Sequence, residues 1–279
     1  MNMRKILFAL AAVAVVACGQ TAEEKVKAFE ETHEAMMQEF QTMMDSLSTD
    51  QEKAQAYYEE FVEKYIDFNL EAARKNGDND VAVQALMNLR GLIEDDQVDE
   101  IIAGMSDEIR QNEQVVYLKN GLDARKATAE GSMFQDFTVE HVYGYDRSVD
   151  PQPLKKEVKF SDYVGKGTYV LVDFWSPWCG PCRREIPNIQ KVYEQYKDKG
   201  LEVLSLAVWE RKPQSHTIET AAELGMDWLH INNCGQVPTD IYGVEGIPHL
   251  MLIGPDGTIL KRGFHGLEGI QAAVAEYIK

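Results

Sequence analysis

The chain has 279 residues, 44% of them hydrophobic and 27% charged, with a net charge of −18. That is enough apolar material for one or two buried cores, which argues against wholesale disorder. So acidic a body repels phosphate backbones and anionic lipid surfaces, and no nucleic-acid partner is expected.

The first elements are of a different material from the rest. Arg4 and Lys5 precede an apolar run from Ile6 to Ala17, and Cys18 follows. A basic start and about a dozen apolar residues make an export signal, assigned to residues 1–17, and fall short of the roughly 20 residues of a spanning helix. Val15-Val16-Ala17-Cys18 resembles a bacterial lipobox, although Val15 stands where leucine is most common. The resemblance implies cleavage before Cys18, lipidation of that cysteine, and a chain tethered to the bacterial envelope facing the periplasm. Ordinary secretion and an uncleaved anchor are the alternatives, and they too put the mature domains outside the cytoplasm.

Residues 18–130 read as an all-α domain. Apolar residues recur three and four apart: Phe29, Met36, Met37, Phe40, Met43 and Met44 make one face of a first helix. Ser48-Thr49-Asp50 offers a cap for a second helix carrying Tyr57, Tyr58, Phe61, Tyr65, Ile66 and Leu70. Gly77-Asp78-Asn79-Asp80 breaks the pattern, and shorter helices are expected over 81–93, 98–105 and 113–125. His33 is isolated, and the methionine stripe has no Cys or His partners, so it reads as core packing rather than a metal site. Residues 19–130 hold 26 acids against 11 bases, net −15, while residues 131–279 are net −5. No function is legible in the helical part.

Composition changes near Gly131. Short strands are expected at Phe137-Thr138-Val139 and near Val158-Lys159-Phe160. The run Tyr169–Trp175 then has the continuous apolar character of a buried parallel strand. A helix is expected over 182–197, a strand over 201–209, a helix over 217–224, a strand over 249–253, the turn Pro255-Asp256-Gly257, a strand over 259–262 and a last helix over 267–277. This alternation describes an α/β sandwich, a central mixed sheet flanked by helices, over residues 131–279.

The chemistry sits in Trp178-Cys179-Gly180-Pro181-Cys182, directly after the buried strand and at the start of a helix. Unpaired backbone N–H groups and the partial positive charge of a helix N-terminus favour thiolate over thiol. Cys179 is therefore the expected nucleophile. A Cys-x-x-Cys turn brings the second sulfur to the first, so Cys182 can resolve a mixed disulfide formed on Cys179.

Val172-Asp173-Phe174-Trp175-Ser176-Pro177-Trp178-Cys179-Gly180-Pro181-Cys182 resembles the active-site segment of thioredoxin, and Cys182-Arg183-Arg184-Glu185-Ile186-Pro187 resembles the envelope-tethered thioredoxin-like thiol-disulfide interchange proteins. The likeness covers residues 131–279. It implies a thioredoxin-like fold, a redox-active disulfide as the only cofactor, and a cis proline at Pro248 facing the dithiol, with Ile247 pairing to substrate backbone. It further implies disulfide-containing exported proteins or apocytochromes as partners; a reductase in an oxidising compartment also requires recharging, for which a membrane electron donor is expected.

Other residues carry two readings each. Asp173, on the apolar strand, is placed to accept a proton from the resolving thiol, since burial raises a carboxyl pKa; a carboxylate amid Val, Leu, Phe and Trp otherwise lacks a reason. Glu185, one turn beyond Cys182, either tunes the dithiol or is a first-turn acid favoured by the helix dipole. His249 either stabilises the Cys179 thiolate or is a strand residue. Trp178 belongs to the docking surface and Trp175 to the core, Pro187 is architectural, and Cys234, without a spaced partner, is passive.

A zinc site would need two further ligands at suitable spacing, and His216, His230, His249 and His265 are scattered. A peroxiredoxin-like enzyme is a closer rival, but Val172 stands where the peroxidatic signature has proline. A thioredoxin-fold binding or chaperone module is the third reading, and an intact dithiol argues against it. The Gly-Pro dipeptide and buried Asp173 point to a reductase.

Overall fold

In the computed structural model, which describes residues 20–146 and 152–279, Thr21 starts the first helix with a reciprocal cap. Its hydroxyl accepts from Glu24 N at 3.2 Å, and Glu24 Oε2 accepts from Thr21 N at 2.8 Å, so two otherwise orphaned donors are satisfied. The export segment and Cys18 lie outside the described residues. No described helix is long and apolar enough to cross a membrane.

Six helices follow: α1 (Ala22–Ser46), α2 (Gln51–Lys75), α3 (Asp80–Asn88), α4 (Asp95–Ala103), α5 (Asp107–Arg110) and α6 (Glu113–Ala127). Asp50 caps α2, accepting from Lys53 N at 3.2 Å. Between α1 and α2, Phe40 packs on Phe61 with ring centroids 4.2 Å apart and Phe29 on Phe68 at 5.2 Å. Of the expected α1 face, Phe29 and Met36 are buried while Met37 is exposed. Val81, Ala82, Val83, Ala85 and Leu86 bury α3 on nearly every side, the mark of a central helix. It stops at Asn88, short of the expected Ile93, and Gly91 follows with φ 74°. The short α5, capped by Ser106, was not anticipated.

The chain divides into two compact units between Lys119 and Asn120, inside α6 and upstream of the compositional change at Gly131. Long-range contacts explain why the segment after Asn120 goes with the second unit. Arg125 pairs with Glu245 at 2.9 Å, and Arg262 donates to the carbonyl of Thr128 at 2.9 Å and its hydroxyl at 2.8 Å. At Gly243, with φ 59°, any Cβ would lie 2.4 Å from the carbonyl oxygen of Gly121, so only glycine permits that approach.

The second unit opens with a hairpin, β1 (Thr138–Asp146) against β2 (Gln152–Lys159), bulged between Val142 and Gly144. Both strands are longer than the sequence suggested, because few of their residues are buried: Val139, His141 and Val142 in β1 and Val158 in β2. Then come β3 (Tyr169–Trp175), α7 (Gly180–Tyr196), β4 (Leu201–Ala207), α8 (Gln214–Glu223), β5 (Leu229–Ile231), α9 (Val237–Tyr242), β6 (His249–Ile253), β7 (Ile259–Arg262) and α10 (Gly266–Tyr277). The three-residue β5 and the α9 helix were missed as too short to show a period.

The sheet runs β5-β4-β3-β6-β7, with β3, β4 and β5 parallel and β6 antiparallel to both β3 and β7. Residues alternate between its faces. Leu171 and Trp175 of β3 pack with Ile186 and Ile189 of α7 and Ile270 and Val274 of α10, whereas Val172 and Phe174 face Phe137, Val158, Phe160 and Tyr242. Buried apolar surface on both sides is what a mostly parallel strand requires. The second unit is a thioredoxin-like α/β sandwich, and an all-α unit precedes it.

Candidate active site

The apolar β3 ends at Trp175, and four residues later the chain enters α7. Cys179 is the N-cap of that helix. It is joined to Cys182 as a disulfide, and Cys182 N donates to Cys179 Sγ at 3.1 Å. At the cap position a sulfur takes the place of the usual cap oxygen and accepts an otherwise unpaired N–H of the first turn. Pro181 is tolerated there because its missing N–H would have had no helical partner. Pro187 lies inside the same helix. Cys179 and Cys182 are both buried, at 3% and 1% exposure.

Ile247 and Pro248 approach from the loop before β6. Their peptide bond is cis, as the resemblance implies, and the Ile247 carbonyl oxygen lies 3.6 Å from Cys179 Sγ. Trp178, 39% exposed, donates its indole N–H to the carbonyl of Trp209 at 2.8 Å, while Trp175 is fully buried. The structure therefore brings Cys179, Cys182, Trp178, Ile247 and Pro248 together.

Asp173 is 1% exposed on β3, its side chain on the α7 face between those of Leu171 and Trp175. Burial pushes its carboxyl pKa up to about 7, with the charge of Glu185 acting in the same direction and a hydrogen bond from Ser205 opposing it. That bond, Ser205 Oγ to Asp173 Oδ2, measures 2.9 Å, and Trp228 Nε1 in turn donates to Ser205 Oγ at 2.9 Å. Sequence reasoning missed Ser205 and Trp228. A single hydroxyl within Leu204-Ser205-Leu206 was the available signal, but its partner is set by the β3–β4 register, Asp173 opposite Ser205.

Glu185 is buried on α7 and accepts the backbone N–H of Gly266 at 2.8 Å. It thereby fastens the first turn of α10 to α7. Its charge reaches Asp173, but no hydrogen bond joins it to the sulfurs.

His249 stacks edge-on against Phe174 at 5.7 Å, and burial, with the charges of Arg262 and His265, lowers its pKa to about 3. A neutral ring provides no cation for a thiolate. Cys234 is buried, its thiol donating to the Ile231 carbonyl at 3.2 Å, and burial holds its pKa well up. That is an inert thiol. Among the described residues no three His, Cys, Asp or Glu side chains converge on a metal position.

A sequence model of the AhpC/TSA family matches residues 131–262. The thiol-disulfide oxidoreductase ResA of Geobacillus thermodenitrificans is 30% identical over 142 residues, covering 51% of this chain and 73% of that protein. ResA of Bacillus subtilis is 28% identical over 137 residues, 49% of this chain and 68% of the relative. Among solved structures, the thioredoxin domain of a thiol-disulfide oxidoreductase from Bacteroides vulgatus matches with 27% identity and a TM-score of 0.43, over 54% of this chain and 99% of that one. An enzyme-like dithiol at a strand–helix junction thus coincides with the matched segment, and the chain belongs to the ResA family of thiol-disulfide oxidoreductases.

Proposed function

We propose that the chain reduces disulfides of exported proteins through Cys179 and Cys182. The observation that carries this reading is the Cys179–Cys182 disulfide at the N-terminus of α7, with Asp173 buried on β3, the strand that leads to it. In the reduced enzyme the Cys179 thiolate attacks one sulfur of a substrate disulfide, and the other substrate sulfur leaves and takes a proton. Asp173 accepts the proton of the Cys182 thiol. Cys182 then attacks Cys179 Sγ, releases the second substrate thiolate, and closes the disulfide. The substrate gains two electrons and two protons, and a dithiol or equivalent two-electron carrier must recharge the enzyme.

The reducing direction is supported by the Gly180-Pro181 dipeptide and the buried acid. Reducing thioredoxins sit near about −270 mV, against about −120 mV for the strong oxidant of the superfamily. The segment Arg4–Cys18 supports export and a lipid tether at Cys18 on the bacterial envelope, close to a membrane electron donor. Apocytochrome thiols fit the same chemistry. Trapping tests the reading. Cys182→Ala retains mixed disulfides on Cys179, and exported cysteine-containing proteins are the expected catch. An empty trap, or a potential close to that of the strong oxidant, overturns it.

The match to the AhpC/TSA model favours one second reading, a peroxide-reducing enzyme. Val172 in place of the signature proline, and a partner sulfur one turn away, weigh against it. Peroxide consumption that survives Cys182→Ala while disulfide exchange is absent would establish it.

A further inference from the structure

Three guanidinium groups lie against residues that flank Cys179. Arg211 stacks on the Trp178 ring, 3.7 Å from its centroid. Arg183 Nη1 donates to the Pro177 carbonyl at 3.5 Å, and Arg184 Nη1 lies 3.6 Å from where a Cβ of Gly180 would be. With exposed Lys212 they form a collar of four cations, none within ion-pair reach of a carboxylate among the described residues. In the same unit Lys155, Lys197 and Lys261 each hold a carboxylate. A set of unpaired cations on a chain of net charge −18 is a local reversal of sign beside the reacting sulfur.

Within the collar is a cavity of about 180 Å³ lined by Pro177, Trp178, Arg211, Lys212, His216 and Thr217. Cavities for small-molecule ligands hold roughly 300–1,000 Å³, so this one is on the scale of a single side chain. Glu210 is its one carboxylate. Its oxygens are held by the Thr217 hydroxyl at Oε1 and by Asn233 N at Oε2, 2.7 Å away, and not by Arg211 or Lys212, and burial raises its pKa, which favours the neutral acid. The walls thus offer two cations without a carboxylate partner, Arg211 held on the Trp178 ring and the exposed Lys212, next to Cys179.

We propose that this cavity seats an acidic side chain of the substrate, an aspartate or glutamate a few residues from the attacked cysteine, and that the collar steers acidic segments onto Cys179. The proposal rests on the reading of the chain as a disulfide reductase and names its substrate class. Cations near the sulfur also favour the thiolate, but that effect is the same for every substrate. Selectivity is what separates the two.

The test uses the purified protein and three disulfide-bonded peptides that differ only in carrying Asp, Ser or Lys beside the cysteine. An exposed charge pair is worth up to a factor of about five. The expected result is a kcat/KM ordered Asp above Ser above Lys, with steps of about that size at low salt, flattening towards 1 M salt, where the screening length falls to about 3 Å. R211Q/K212Q collapses the ratio, and R211E/K212E inverts it in favour of the Lys peptide, a gain that an unfolded variant could not give. Equal rates for the three peptides in the wild type, or an unaltered ratio in both variants, overturn the proposal. Binding of the S-alkylated peptides, followed by Trp178 fluorescence, separates the acid-binding cavity from the reductase chemistry. If no peptide is reduced but the alkylated Asp peptide still binds selectively, the reductase reading fails and the acid-binding cavity stands.

Discussion

Ser205 Oγ donates to Asp173 Oδ2 at 2.9 Å across neighbouring strands, and among the described residues it is the one hydrogen bond to the carboxylate of a residue that burial otherwise drives towards its neutral form. With a pKa of about 7, Asp173 gains or loses its proton near neutral pH, as the proposed transfer from Cys182 requires. Asp173→Asn is expected to slow resolution of the mixed disulfide by on the order of 10²-fold at pH 8. It should also remove an inflection near pH 7 from the wild-type pH profile. Stopped-flow release of a fluorescent thiol from a preformed mixed disulfide measures both.

The raised pKa of Asp173 also fixes a stability trend. A carboxyl whose folded pKa is raised binds more protons in the folded than in the unfolded chain, so its stabilisation is present below pH 4 and is lost as pH rises to about 7. A tenfold change in proton affinity between the folded and unfolded chain is worth about 1.4 kcal/mol, so Asp173→Asn should exceed the wild type in stability by up to a few kcal/mol at pH 8 and converge with it near pH 4. Urea unfolding at both pH values decides it, and equal stability at pH 8 would show that Asp173 is not held neutral by burial.

Ser205→Ala removes the donor to Asp173 and the acceptor of the Trp228 indole N–H together. Asp173 then loses the bond that favours its charged form, and the inflection in the resolution rate moves to higher pH. The stranded indole costs about 1–3 kcal/mol. Ser205→Thr keeps the hydroxyl and should keep the inflection, a rescue that separates the proton-handling role from packing.

What was legible in the chain followed from how local each signal is. Cys179 and Cys182 were visible because strand, turn, cap and second thiol lie within one segment, and β3, β6 and β7 because a run such as Tyr169–Trp175 or His249–Ile253 is apolar enough to have one reading. Ser205 was not, because its role exists only through the register that sets it opposite Asp173. Glu185 was seen as a position without its partner, since Gly266 lies 81 residues away. Arg211 shows the same limit: nothing in Glu210-Arg211-Lys212 says that the arginine lies over Trp178.

Glu185 does two things that can be pulled apart. It accepts Gly266 N, and its charge raises the pKa of Asp173. Glu185→Gln keeps an acceptor oxygen and removes the charge, so stability should hold while the inflection in the resolution rate shifts to lower pH. Glu185→Ala removes both and leaves a half-buried helix N–H without its side-chain acceptor, at about 1 kcal/mol. Equal pH profiles for the wild type and Glu185→Gln would confine Glu185 to fastening α10.

His249 gives the opposite pH dependence from Asp173. A histidine whose folded pKa is lowered to about 3 stays neutral in the fold while the unfolded chain binds a proton below its ordinary value near 6.5. Its contribution is therefore complete above about pH 7 and drains away as pH falls towards 3. His249→Leu retains an apolar filling against Phe174 and discards the titration, so it should gain on the wild type at pH 4 relative to pH 8, by a few kcal/mol at most. In Asp173→Asn the wild-type disadvantage appears at pH 8 instead. Denaturation of both variants across pH 4–8 therefore separates the two buried groups by the sign of the slope each removes, and a His249→Leu curve parallel to the wild type would show that the imidazole protonates inside the fold.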